Sequence, residues 1–216
     1  MHMGKLSTKR RAAILSAVAL PACALALAAC GTSGSAPSAN SAARSALALE
    51  APAQMEPPKP ARDISLRNSL GQRVRLSDYR GKAVLLTFIY DHCPDVCPLI
   101  VSNLHDALRM LGARAGEVRI VAVSVDPRGD TPATVAAFLA AHEMTGRMQY
   151  LIGTERELAP VWHTWGVAVS PTPSGREVGH SAFIYGIDAS GRVRALYPSN
   201  FKPRWIAHDV PILASS

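Results

Sequence analysis

"AVLLTFIYDHCPDVCPLIVSNLHDALRML", residues 83–111, decides how the chain is read. Residues 83–90 form an unbroken apolar run rich in β-branched and aromatic side chains, which suits a strand buried on both faces. Two cysteines, Cys93 and Cys97, follow directly, each with a proline after it. Ile100, Leu104, Leu108 and Leu111 then recur at helical spacing. A buried strand therefore runs through a stiff cysteine loop into an amphipathic helix.

The same alternation continues downstream. "VRIVAVSVDP" reads as a second buried strand, and "TPATVAAFLAAHE" as a helix opened by Thr131 and Pro132. "MQYLIG" is a third strand, and "TERELAPVWHTWG" a helix capped by Thr154. "SAFIYGIDASGRVRALYP" is a hairpin turning at Ala189-Ser190-Gly191, and "PRWIAHDVPIL" is a last helix. Upstream, "DISLRNSLGQRVRLSDYRGK" reads as two short strands around Leu70-Gly71. The expected fold is α/β and thioredoxin-like, a central mixed sheet flanked by helices, with an added N-terminal strand pair.

The chain begins with Lys5, Lys9, Arg10 and Arg11, followed by "AAILSAVALPACALALAAC", the n-region and h-region of a secretory signal. "LAAC", ending at Cys30, resembles a bacterial lipobox, in which cleavage leaves a lipidated N-terminal cysteine. Residues 1–29 are read as a lipoprotein-type signal peptide and Cys30 as the anchor. The plain alternatives are an ordinary signal peptide or an uncleaved signal anchor. Residues 30–60, rich in Ala, Ser and Pro, read as a flexible tether. The folded domain is expected over residues 61–212, enough chain for one core.

Charge and cysteine count narrow the function. Four basic and no acidic residues precede Cys30, so +3 of the formal +7 remains from there onward. No basic stripe interleaves with aromatics, so nothing points to nucleic acid. Of the four cysteines, Cys23 lies in the signal and Cys30 at its end, leaving Cys93 and Cys97 in the domain. A disulfide between residues so close in sequence restricts the unfolded chain little, so stapling the fold does not explain the pair.

Residues four apart can share a helix face. Pro94 and Pro98 stiffen the loop. A helix N-terminus favours the thiolate, and thiolates are soft ligands that select copper(I), zinc or iron–sulfur centres. One added imidazole gives a Cys₂His set, which suits trigonal copper(I) or a zinc ion with an open position. Spacing does not choose between them.

"TFIYDHCPDVCP", "VAVSVDPRGDTP" and "VGHSAFIYGIDASGRV" together resemble the Sco/SenC family over about residues 60–212. The family pattern is a strand ending in a CxxxCP loop, a downstream SVDP strand end, and a histidine opening a late hairpin. The resemblance implies one copper ion, Cu(I) or Cu(II), per chain, held by Cys93, Cys97 and His180. It implies delivery of copper to the binuclear copper site of cytochrome c oxidase, or reduction of that site's thiols. The implied partners are the copper-accepting oxidase subunit and another periplasmic copper chaperone, reached from a lipid anchor on the periplasmic face of a membrane.

Asp126, at the end of "VAVSVDP", is expected beside the metal as an orienting group; the plain alternative is a turn-former before Pro127. Asp95 and Asp130 read as capping or solvated residues. Among seven histidines, His2 lies in the signal, and His105, His142, His163 and His208 read as surface or helix-end residues. His92 adjoins Cys93 but points away if the strand continues. Asp91 stands where the family often has threonine and adds negative charge. The rival class is a thiol–disulfide oxidoreductase using the same pair, Cys93 and Cys97. Such enzymes usually carry CxxC and a proline before the late strand; here the spacing is CxxxC, and Gly179-His180 takes that place.

Overall fold

The structure is a computed structural model and describes residues 48–171 and 178–216. Residues 1–47, which hold the expected signal segment, Cys30 and most of the expected tether, and residues 172–177 lie outside the described residues.

An eight-stranded mixed sheet has the order β1-β10-β9-β4-β5-β6-β2-β3. Its centre is β4 (Ala83–Ile89), β5 (Val118–Ser124) and β6 (Met148–Ile152), which run parallel. Every residue of β4 is buried, as its continuous apolar run requires. Strand β9 (Phe183–Ile187) pairs antiparallel with β4, and β10 (Arg192–Pro198) returns beside it through Gly191 at φ +78°. The strand pair β2 (Ser65–Asn68) and β3 (Arg73–Arg75) closes the far edge, turning at Gly71 with φ +78°.

Among the described residues, four α-helices flank this sheet: α1 (Val96–Leu111), α2 (Pro132–Ala141), α3 (Glu155–Thr164) and α4 (Pro203–Ala214). Register assigns their faces. Thr87, Ala122 and Tyr150 stand side by side, so Phe88, Val123 and Leu151 face the other way. Phe138 of α2 meets Tyr150, and Ser102 of α1 reaches His142 at the end of α2. Trp165, just after α3, instead packs on Phe88 and Tyr185 of the opposite face. Helix α1 buries Cys97, Ile100, Val101, Leu104, Ala107, Leu108 and Leu111, the stripe its spacing predicts.

The N-terminal boundary differs from expectation. Residues 53–60, read as tether, form strand β1 (Ala53–Pro60) against β10. Pro57, Pro58 and Pro60 are tolerated because β1 is an edge strand, where a missing donor faces no neighbour, and its register shifts between Gln54 and Lys59. The segment before it is pinned by a buried carboxylate. Asp209 accepts the N–H groups of Glu50 and Ala51 at 2.6 and 2.9 Å, and the Tyr197 hydroxyl at 2.8 Å. Among the described residues, no helix is long and apolar enough to cross a membrane.

Candidate metal and thiol site

Cys93 and Cys97 sit where β4 runs out and α1 begins. This is the carboxyl edge of the parallel strands, where α/β sheets place their ligands. Both cysteines are reduced and buried. Cys97 lies in the first turn of α1, and its backbone N–H points at Cys93 Sγ, 3.5 Å away. Pro98 costs the helix nothing there, because first-turn N–H groups have no intrahelical acceptor.

The two thiols are unlike. A hydrogen bond from the Cys97 thiol lowers Cys93 to about 5; burial opposes this, and the backbone N–H groups of Asp95 and Cys97 and the Tyr90 side chain assist it. The same thiol–thiol hydrogen bond, then burial, pushes Cys97 far up. At neutral pH the pair is one thiolate, Cys93, holding the proton of Cys97. A soft ion entering this site meets a ready sulfur anion and displaces one proton.

His180 ends the short strand β8 (Val178–His180), which pairs with β7 (Val169–Pro171) in a ribbon outside the main sheet. It therefore stands just before the late hairpin rather than within its first strand. The backbone still carries it towards the cysteines. Thr87 pairs with Ile184, so β9 starts at the edge where β4 ends, and the Thr87 hydroxyl ties the Phe183 carbonyl at 3.1 Å. Three residues of chain, a reach of roughly 10 Å, separate His180 from that edge.

A second constellation adjoins the thiols. His92 Nδ1 lies 2.9 Å from Asp91 Oδ1, and Nε2 lies 3.1 Å from Asp126 Oδ2. The imidazole also stands edge-on to Tyr90. Burial works against a charged ring, but the Asp91 hydrogen bond and the charges of Asp126, Asp91 and Asp130 outweigh it, so His92 titrates above its ordinary value. Asp126 accepts the backbone N–H groups of Arg128 and Gly129 through Oδ1, both at 3.0 Å, as a turn-former does. Its other oxygen reaches the cysteine loop through His92.

Asp130 is not the solvated or capping residue the sequence suggests. Thr131 caps α2 instead, its hydroxyl accepting the Thr134 N–H at 3.2 Å. Asp130 is only 6 % exposed, and it accepts the Asp91 N–H and the Tyr150 hydroxyl, each at 2.9 Å. Burial pushes its carboxyl up to about 7, against hydrogen bonds from Ser124, the Asp91 backbone and Tyr150. Nothing local in "RGDTP" announces this, because its partners come from the end of β5, from β6 and from the loop after β4. Three other histidines serve other contacts: His142 packs on Phe138, His208 bonds Asp209 at 2.8 Å, and His105 lies 3.9 Å from Glu143.

The profile of the SCO1/SenC family matches residues 53–215, starting at the edge strand β1. The mitochondrial SCO2 homologue of Bos taurus is 33 % identical over 135 residues, covering 60 % of this chain and 50 % of that protein. The chain thus spans about half the length of that curated relative. ScoI of Bradyrhizobium japonicum, solved with copper bound, is similar with a TM-score of 0.64 and 31 % identity, covering 71 % of this chain and 99 % of that one. A SCO1/SenC family lipoprotein of Bacillus anthracis superposes with a TM-score of 0.64 at 26 % identity, covering 73 % and 97 % of the two chains. With the thiol loop, the SVDP strand end and the late hairpin in their places, the chain belongs to the SCO1/SenC family.

Proposed function

We propose that this protein binds one copper ion through Cys93, Cys97 and His180. In this reading it delivers copper to the binuclear copper site of a respiratory cytochrome c oxidase, or keeps that site's thiols reduced. The observation that carries the reading is the reduced, buried pair at the start of α1, with Cys93 poised as a thiolate. The copper held by the Bradyrhizobium ScoI supports the choice of ion over zinc. His180 is the third ligand in this proposal, since its strand leads into β9 at the edge where the thiols lie. Asp126 acts indirectly, by holding His92 beside Cys93.

One observation favours thiol exchange as a second reading. A depressed Cys93 beside a raised Cys97 is the division of labour between an attacking and a resolving thiol. In either reading the chain is a periplasm-facing lipoprotein tethered through Cys30, partnered by the copper-accepting oxidase subunit and by a periplasmic copper chaperone. The Bacillus anthracis relative, itself a lipoprotein, supports the anchor.

Titration of the reduced chain with copper(I) and copper(II), in a Cys23→Ser/Cys30→Ser background, tests the assignment. Cys93→Ala should abolish copper(I) retention against a competing chelator. His180→Ala should weaken copper(II) far more than copper(I), because two soft sulfurs suffice for copper(I) whereas copper(II) needs nitrogen or oxygen donors. It should also remove the thiolate-to-copper(II) charge-transfer band. Stoichiometric copper(I) in Cys93→Ala, or an unchanged copper(II) spectrum in His180→Ala, refutes the ligand set. A chain that exchanges disulfides but never retains copper moves the function to the oxidoreductase reading.

A further inference from the structure

Beside the thiols lies a group of hard donors, none of which is a copper ligand in that reading. A carboxylate oxygen of Asp91, a ring nitrogen of His92 and a carboxylate oxygen of Asp130 all lie within 4.8 Å of one another. Two features separate this group from an ordinary acidic surface. First, the carboxylates are inside: the Asp91 side chain is 5 % exposed and Asp130 is 6 % exposed. Asp91 Oδ2 is fully buried and has no hydrogen-bond partner among the described residues. A buried carboxylate oxygen without a partner is destabilising unless something positive meets it. Second, the carboxylates have few cationic neighbours. Three carboxylates, Asp91, Asp126 and Asp130, surround one imidazole, and no lysine or arginine forms an ion pair with any of them among the described residues.

The geometry around His92 suits a metal ligand. Asp126 takes Nε2, which orients the ring and leaves Nδ1 directed at Asp91, 2.9 Å away. A carboxylate on the far nitrogen is the usual support of a metal-bound histidine. Gly129 makes the arrangement possible: a Cβ there would collide with His92 Cε1 and Asp126 Oδ2. The His92 side chain is 43 % exposed, so the group opens to solvent on that side.

We propose that Asp91, His92 and Asp130 form a second cation site, taking a divalent transition ion of borderline hardness, such as zinc, through two carboxylates and one imidazole nitrogen. Imidazole and carboxylate donors suit such an ion, whereas the neighbouring sulfur pair suits a soft monovalent one. Two sites of opposite softness thus share one loop. A divalent ion also places positive charge beside the buried Asp91 carboxylate. The site does not depend on the copper assignment, and its test is arranged to stay separate from it.

Zinc is titrated calorimetrically into the full chain with all four cysteines changed to serine, so that no thiolate competes. One equivalent should bind saturably, with Kd in the micromolar range. Asp91→Asn and His92→Gln should each weaken binding by at least about tenfold while the circular dichroism spectrum stays unchanged. Asp126→Asn keeps all three ligands and removes only the acceptor that orients His92, and should also weaken binding about tenfold. Absence of saturable zinc binding below about 1 mM would overturn the proposal, and so would Asp91→Asn binding within twofold of its parent.

Discussion

The inequality of the two cysteines makes a prediction that needs no metal. Cys93 is lowered from an ordinary 9.0 to about 5, chiefly by the hydrogen bond from Cys97. At pH 6 a thiol titrating at about 5 is roughly 90 % thiolate, against roughly 0.1 % for one at 9.0. Alkylation of the reduced, chelator-treated chain by iodoacetamide, followed by peptide mass spectrometry, reads that fraction site by site. Cys93 labelling should rise with a midpoint near pH 5 and be flat above about pH 6.5, while Cys97 stays unlabelled at neutral pH. The midpoint is the readout rather than the plateau rate, because nucleophilicity falls with pKa. Cys97→Ala removes the largest cause and should move the Cys93 midpoint up by at least about one unit. A wild-type midpoint at 8–9 would refute the account of the pair. So would a midpoint that Cys97→Ala leaves in place.

Asp130 gives a stability test whose sign follows from burial. Its folded-state value, about 7, lies above the ordinary 3.8, so the native chain holds a proton that the unfolded chain releases. Stability is therefore full below about pH 4 and falls as pH rises towards 7, by on the order of 1 kcal/mol per pH unit. Denaturant unfolding at pH 5 and pH 8 should show this loss in wild type and a smaller one in Asp130→Asn; identical pH dependence in the two would remove Asp130 as the cause. Asp209→Ala strips acceptors from the N–H groups of Glu50 and Ala51 and from Tyr197, so it should cost roughly 2–4 kcal/mol. It should also expose residues 49–60 to limited proteolysis, and a variant as protease-resistant as wild type would contradict that pinning role. Cys30→Ser should leave an unprocessed precursor or release the protein from the membrane. Mature wild-type protein without lipid by mass spectrometry would end the lipoprotein reading.

Periodicity and turn chemistry act over a few residues, and what depended on them was legible. The buried run of β4, the stripe of α1, the Pro132 start of α2 and the glycines at 71 and 191 mark their elements by themselves. The thiol pair was legible for the same reason, because Cys93 and Cys97 are joined by one turn of chain. Edge strand β1 was not, since its prolines read as tether until β10 and the Asp209 carboxylate are seen to receive it. Nor was the polar constellation around His92. Asp91 and Asp126 leave two different strands, and they meet because β4 and β5 end side by side, with Ile89 opposite Ser124. Parallel register and the missing Cβ of Gly129 bring three carboxylates round one imidazole, and both are properties of the packed sheet rather than of any local stretch of chain.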